Sequence, residues 1–147
     1  MTETKLTQPF EKALHQAGSW IEDLRYELNL DDPVKTYQAL RVTLLALRDR
    51  LPMNEAAHLG AQLPMIIRGG YYDGWKIREK PVKLKSAEDF FAHMEKIHSA
   101  PLPVEADTLV RAVFKLLRHR ITLGEIEDIE SNMPAELKEL WPHAIET

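Results

Sequence analysis

The chain has no cysteine among its 147 residues. Disulfides, thiol nucleophiles and thiolate metal sites are therefore excluded, and the composition suits a reducing compartment. It has no long apolar run. The longest strongly apolar stretch is VTLLAL at residues 42–47, far short of the roughly 20 residues that span a bilayer. No membrane association is expected. The opening MTETKLTQP lacks the apolar stretch of a secretion signal, so a cytoplasmic location is the expectation. Positive charge is not in surplus either. At a net charge of −4 a chain-wide nucleic-acid footprint is not expected, because phosphate binding needs clustered cations.

Catalytic and cofactor motifs are missing in the same way. There is no GxxxxGKS, GxGxxG, GxSxG or HExxH. The histidines are His15, His58, His93, His98, His119 and His143, and no tight His/Asp/Glu cluster surrounds any of them in sequence. His93 and His98 are five apart, which points them to different sides of a helix. The expectation is no enzyme, no cofactor and no metal site.

What is present is the composition of a folded globule: 44% apolar and 29% charged residues. The length suits one domain, 1–147, able to bury a core. Sliding the chain by 70 residues lays DDPVKTYQALRVTLLALRDRL over PLPVEADTLVRAVFKLLRHRI. Pro33, Val34, Arg41, Leu47, Arg48, Arg50, Glu55 and Pro64 meet identical residues, which is 8 matches in 39 positions without a gap. Average composition supplies roughly two or three, so duplication is the reading. Repeat 1 covers about 20–71, a basic connector 72–86, and repeat 2 about 87–141.

Each copy reads as four helices. The first helices are expected at 20–29 and 87–99, the second of them with Ser86 and Asp89 as a capping box. Long second helices follow at 33–50 and 103–120, each opened by a proline whose missing N–H costs nothing there. Between Ala39 and Leu47 the first is apolar on nearly every side, the mark of a helix inside a bundle. Third helices are expected at 54–62 and 123–132, with Thr122 and Glu125 as a capping signature, and short fourth ones start at Pro64 and Pro134. An extra helix is read near 8–17. WKIREKPVKLK alternates apolar and charged residues, which gives either a short two-stranded ribbon or an extended loop. The fold expected is an all-α bundle of two similar four-helix repeats with that connector between them.

The segments LDDPVKTYQALRVTLLALRDRLPMNEAAHLGAQLPMIIRGGYYDGW and SAEDFFAHM closely resemble the bacterial family known as domain of unknown function 2267. The resemblance spans about 15–145 and is carried most specifically by ALRDRLPMNEAAHLGAQLP and RGGYYDGW. It implies an all-helical fold and no reaction. Where the family usually has Phe or Tyr, this chain has Gly70, so a site built on that aromatic lacks one ring.

Two groups of residues stand out as candidates. Arg41 and Arg48 are two helical turns apart and share a face, and Glu55 opens the next helix. Arg111, Arg118 and Glu125 repeat the pattern. The structural reading is an ion pair tying each second helix to the third; the alternative is a double anion site. Recurrence in both copies favours the first. His58 meets Asp128 at the same offset, so a ligand is not needed there in both copies.

The second group lies in RGGYYDGW. Gly69 and Gly70 are expected just past a helix, closing it with positive φ. Tyr71 meets Trp141 and is expected in the core. Arg68, Tyr72, Asp73 and Trp75 form a candidate partner or ligand surface, with packing over the repeat junction as the structural alternative. The function expected is a non-enzymatic helical module that binds a partner protein or itself there. One alternative is a small ligand, apolar or anionic, in a pocket at the repeat junction. Another is weak nucleic-acid binding through Lys76, Arg78, Lys80, Lys83 and Lys85, where the third and fourth helices loosely resemble a helix-turn-helix. From Gly124 the tail holds seven carboxylates against one lysine, which opens a head-to-tail contact through opposite charges.

Overall fold

The computed structural model of the chain describes residues 3–77 and 81–142. Eight helices and no strand occur among them: α1 (Glu3–Leu28), α2 (Pro33–Arg50), α3 (Met53–Gln62), α4 (Met65–Tyr72), α5 (Ala87–Ile97), α6 (Ala106–Arg120), α7 (Leu123–Ser131) and α8 (Ala135–Lys138).

The helix ends follow from local chemistry. Asp32 caps α2, its carboxylate accepting from the Val34 and Lys35 N–H groups at 2.8 and 3.4 Å, with Pro33 in the first turn. Ser86 and Thr122 do the same for α5 and α7, each accepting from the N–H three residues on. Asn29 ends α1 with a φ of 54°. The Leu30 N–H reaches back to the Arg25 carbonyl and the Asn29 N–H to the Tyr26 carbonyl, the double bond pattern of a left-handed helix stop.

Three expectations need correction. The helices read at 8–17 and 20–29 are one helix, α1. Gly18 between them costs about 1 kcal/mol of helix propensity, and the strong helix formers around it outweigh that. Pro103 does not open α6, which starts at Ala106 behind Glu105; the prolines at 101 and 103 keep the preceding segment extended. Gly69 and Gly70 do not close a helix but lie inside α4, and the positive φ, 69°, falls at Gly74. Of the two forms expected for the connector, the described residues take the extended one, with no strand among them; 78–80 lie outside them. It runs along the end of α2, where the Val82 N–H donates to the Asp49 carbonyl at 2.8 Å and Arg50 Nε to the Leu84 carbonyl at 3.0 Å. With those groups bonded to α2, no second strand is required to satisfy them.

Burial follows the 70-residue offset. Ala39, Leu40, Val42, Thr43, Leu44, Ala46 and Leu47 are buried in α2, and Leu109, Val110, Ala112, Val113, Phe114, Leu116 and Leu117 in α6. One buried cluster joins all of them except Thr43 to Trp20 and Leu24 of α1, Phe90 and Met94 of α5, Tyr71 and Trp141. Trp141 stacks on Phe114 with ring centroids 4.0 Å apart. Helix α1 lies against α2, α4 and α6, α5 against α2 and α6, and α3 against α4 and α7.

Candidate functional site

None of these arginines pairs with Glu55 or Glu125, and only Arg118 joins its helix to the third one, through Glu130 of α7. Arg41 donates through Nε to the Gly70 carbonyl at 3.0 Å and reaches the Asp73 carboxylate at 3.5 Å. Arg48, nearly closed to solvent, donates to the Tyr71 carbonyl at 2.8 Å and to Asp49 at 2.9 and 3.0 Å. Arg111 holds Asp107 at 2.7 Å and the Glu139 carbonyl at 3.1 Å, while Arg118 faces Glu130 at 3.9 Å. The reason is the end of the fourth helix. The last carbonyls of a helix have no intrahelical partner and carry the negative end of its dipole, so Arg41 and Arg48 of α2 and Arg111 of α6 go there.

The RGGYYDGW residues are spent in the same way. Arg68 gathers the Gly60, Ala61 and Leu63 carbonyls at 2.9, 3.4 and 2.7 Å, closing the end of α3. Tyr72 donates to the Ala57 carbonyl at 3.3 Å, with its ring against Gly60, where a Cβ would collide with it. Trp75 lies 5.7 Å from the Tyr72 ring, and the Arg48 guanidinium stands 5.9 Å over it. Asp73 is exposed. At Gly70, the space a side chain would take is filled by the Tyr37 hydroxyl. The four residues are neighbours, and three are held by packing and backbone bonds. The nearest sizeable cleft, about 500 Å³ between α1 and the α3–α4 corner, is lined by Arg68 and Arg120. Arg120 is already bonded to Ser19 and Asp23.

The released glutamates meet each other. Glu55 in α3 and Glu125 in α7 come together with His58, and one donor atom from each lies within 4.8 Å of the others. His58 Nδ1 is 3.7 Å from Glu55 Oε1. Glu55 Oε2 and Glu125 Oε1 are buried without a hydrogen-bond partner. Burial pushes the Glu125 carboxyl above its ordinary range, and Glu55 and Asp128 push it further against the pull of His58. Glu55 and His58, three apart, share one helix face, and Glu125 and Asp128 repeat that spacing in α7.

A family model described as "Uncharacterized conserved protein (DUF2267)" matches residues 18–140. The chain belongs to the DUF2267 family. No curated protein matches its sequence. The DUF2267 span holds the arginine contacts, the RGGYYDGW turn and the Glu55–His58–Glu125 cluster.

Besides that cluster, two features of this DUF2267 chain escaped the sequence reading. His93 Nε2 lies 2.9 Å from Asp49 Oδ2, joining α5 to α2 across 44 residues. Burial opposes the charge on Asp49, and hydrogen bonds from His93 and Arg48 outweigh it, leaving its carboxyl below the usual range. The second is at the start of α1, before the matched span. Leu6, Phe10 and Leu14 stand 63%, 59% and 63% exposed. Their spacing of four along a helix was visible and puts them on one side.

Proposed function

We propose that this chain is a non-catalytic helical module that acts by associating with a second copy of itself through the first turns of α1. The observation that carries this is the continuation of a core seam into solvent. Ala13, Ala17, Trp20 and Leu24, spaced four, three and four apart, are buried inside the bundle. Leu6 and Phe10 extend the same spacing past the end of the bundle, and Leu14 widens it. An apolar face of this kind is stabilised by covering it, at roughly 25 cal/mol per Å² removed from water. Lys5, Glu11 and Lys12 flank it, so an antiparallel pair can set a lysine of one copy beside Glu11 of the other. Three side chains fall short of the roughly 1,200 Å² of a stable interface, which makes the association transient. The non-catalytic part of the reading is supported by His93 and Asp49. Their side chains are only 11% and 10% exposed and are bonded to each other, which leaves little of either to meet a substrate.

Sedimentation velocity of the full chain over graded concentrations tests this. Wild type is expected to move from monomer towards dimer, and a Phe10→Glu, Leu14→Glu variant to stay monomeric with unchanged helicity. A wild type that stays monomeric throughout overturns it.

A further inference from the structure

We propose that Glu55, His58 and Glu125 form a zinc-binding site that braces α3 against α7. The cluster is more than a group of acids on a surface. Glu125 is 7% exposed, its Oε1 is buried and unbonded, and its carboxylate brings a donor within 4.8 Å of donors on Glu55 and His58. Glu55 Oε2 is in the same condition. Two buried carboxylate oxygens without a donor, on residues that meet, are costly, because each has lost its water. A cation between them answers both.

The donor set selects the ion. Two carboxylates and one imidazole suit zinc, whereas magnesium and calcium prefer oxygen alone. Zinc at 2.0–2.2 Å from each donor, tetrahedrally placed, sets the donors about 3.3 Å apart. His58 Nδ1 and Glu55 Oε1 stand 3.7 Å apart, and one donor from each of the three residues lies within 4.8 Å of the others. Small side-chain rotations close that gap. The backbone is already fixed, since the Glu125 N–H donates to Thr122 Oγ1 at the start of α7. The ion has a way in, because the His58 side chain is 61% exposed, and Asp128 adds negative charge close by. Three protein donors leave a fourth position for water. The two carboxylates come from positions 70 apart, so the ion would link the halves of the chain where they meet.

Isothermal titration of tag-free, full-length protein with zinc chloride, with magnesium chloride as control, tests the proposal. One zinc per chain is expected, with no heat from magnesium and a melting temperature raised by about 5 °C at saturating zinc. Loss of an outer partner of a metal site costs 10–100-fold in affinity, so loss of a ligand in His58→Ala is expected to cost about 100-fold or more. His58 is exposed, and this variant keeps its fold. Glu125→Gln gives a second readout of opposite sign. Its amide can donate to Glu55, so the metal-free variant melts higher than wild type, while its response to zinc disappears. Absence of zinc binding overturns the site, as does binding that persists undiminished in both variants.

Discussion

Arg48 Nη1 donates to the Tyr71 carbonyl at 2.8 Å, fastening the end of α2 to the end of α4. The same guanidinium holds Asp49 and covers the Trp75 ring. Lysine has one compact charge and cannot reach a carbonyl, a carboxylate and a ring face together. Arg48→Lys is expected to lower unfolding free energy by about 2 kcal/mol, measured by urea denaturation. A change under about 0.5 kcal/mol, the usual scatter of a surface substitution, would show that the contact does not hold the helices.

The adjacent glycines of α4 should respond differently to alanine. At Gly69 an added Cβ meets nothing within 4 Å, so Gly69→Ala is expected to stabilise by about 0.5–1 kcal/mol through helix propensity. At Gly70 the Cβ runs into the Tyr37 hydroxyl and lies 3.4 Å from Arg41. Tyr37 must swing aside and the Arg41 bond to the Gly70 carbonyl is disturbed. Gly70→Ala is expected about 1–2 kcal/mol below Gly69→Ala, and equal melting temperatures would contradict the packing.

Asp49 makes stability depend on acid. Its folded carboxyl titrates below the ordinary value of 3.8. Its contribution is therefore complete above that value and is lost as pH falls through the lower, folded one. Asp49→Asn is expected to cost about 1–3 kcal/mol at neutral pH, with the gap to wild type narrowing below about pH 4. Chemical denaturation at several pH values measures it, and a gap independent of pH would contradict the charged pairing with Arg48 and His93.

Tyr71 governs the alkaline side. It is fully buried, and its hydroxyl donates to the Ala56 carbonyl at 2.6 Å. Burial pushes its phenol far above the ordinary value of 10.0, so stability present below that value declines as pH rises beyond it. Tyr71 is expected to ionise only as the fold opens. In a spectrophotometric titration, Tyr71→Phe should remove the absorbance change that coincides with loss of helicity, and a variant trace like wild type would refute it.

Helix positions were largely legible because they rest on neighbours in sequence. Asp32 with Pro33, Ser86 with Asp89 and Thr122 with Glu125 each state a helix start within four residues. Burial in α2 and α6 falls at matching positions of the 70-residue offset, Ala39 with Leu109 through Leu47 with Leu117. Side-chain partners were not legible, since they are set by how helices lie in space. Arg48 and Glu55 are close in sequence, yet the orphan carbonyls at the end of α4 took the arginine. The meeting of Glu55 with Glu125 and of Asp49 with His93 needed α3 beside α7 and α5 beside α2. Gly70 resembled a helix stop because an L residue's absence has two causes, positive φ and crowding. Only the position of Tyr37 separates them.

Helix α1 reaches its farthest partners late. Lys115 bonds to Glu27 and Arg120 to Asp23, across 88 and 97 residues. A ribosome adding about 5–20 residues per second delivers α6 roughly 5–20 s after α1 has emerged. During that interval the nascent chain shows other proteins a side of its first helix that the finished molecule conceals, which makes the early half of translation the period of greatest exposure to aggregation.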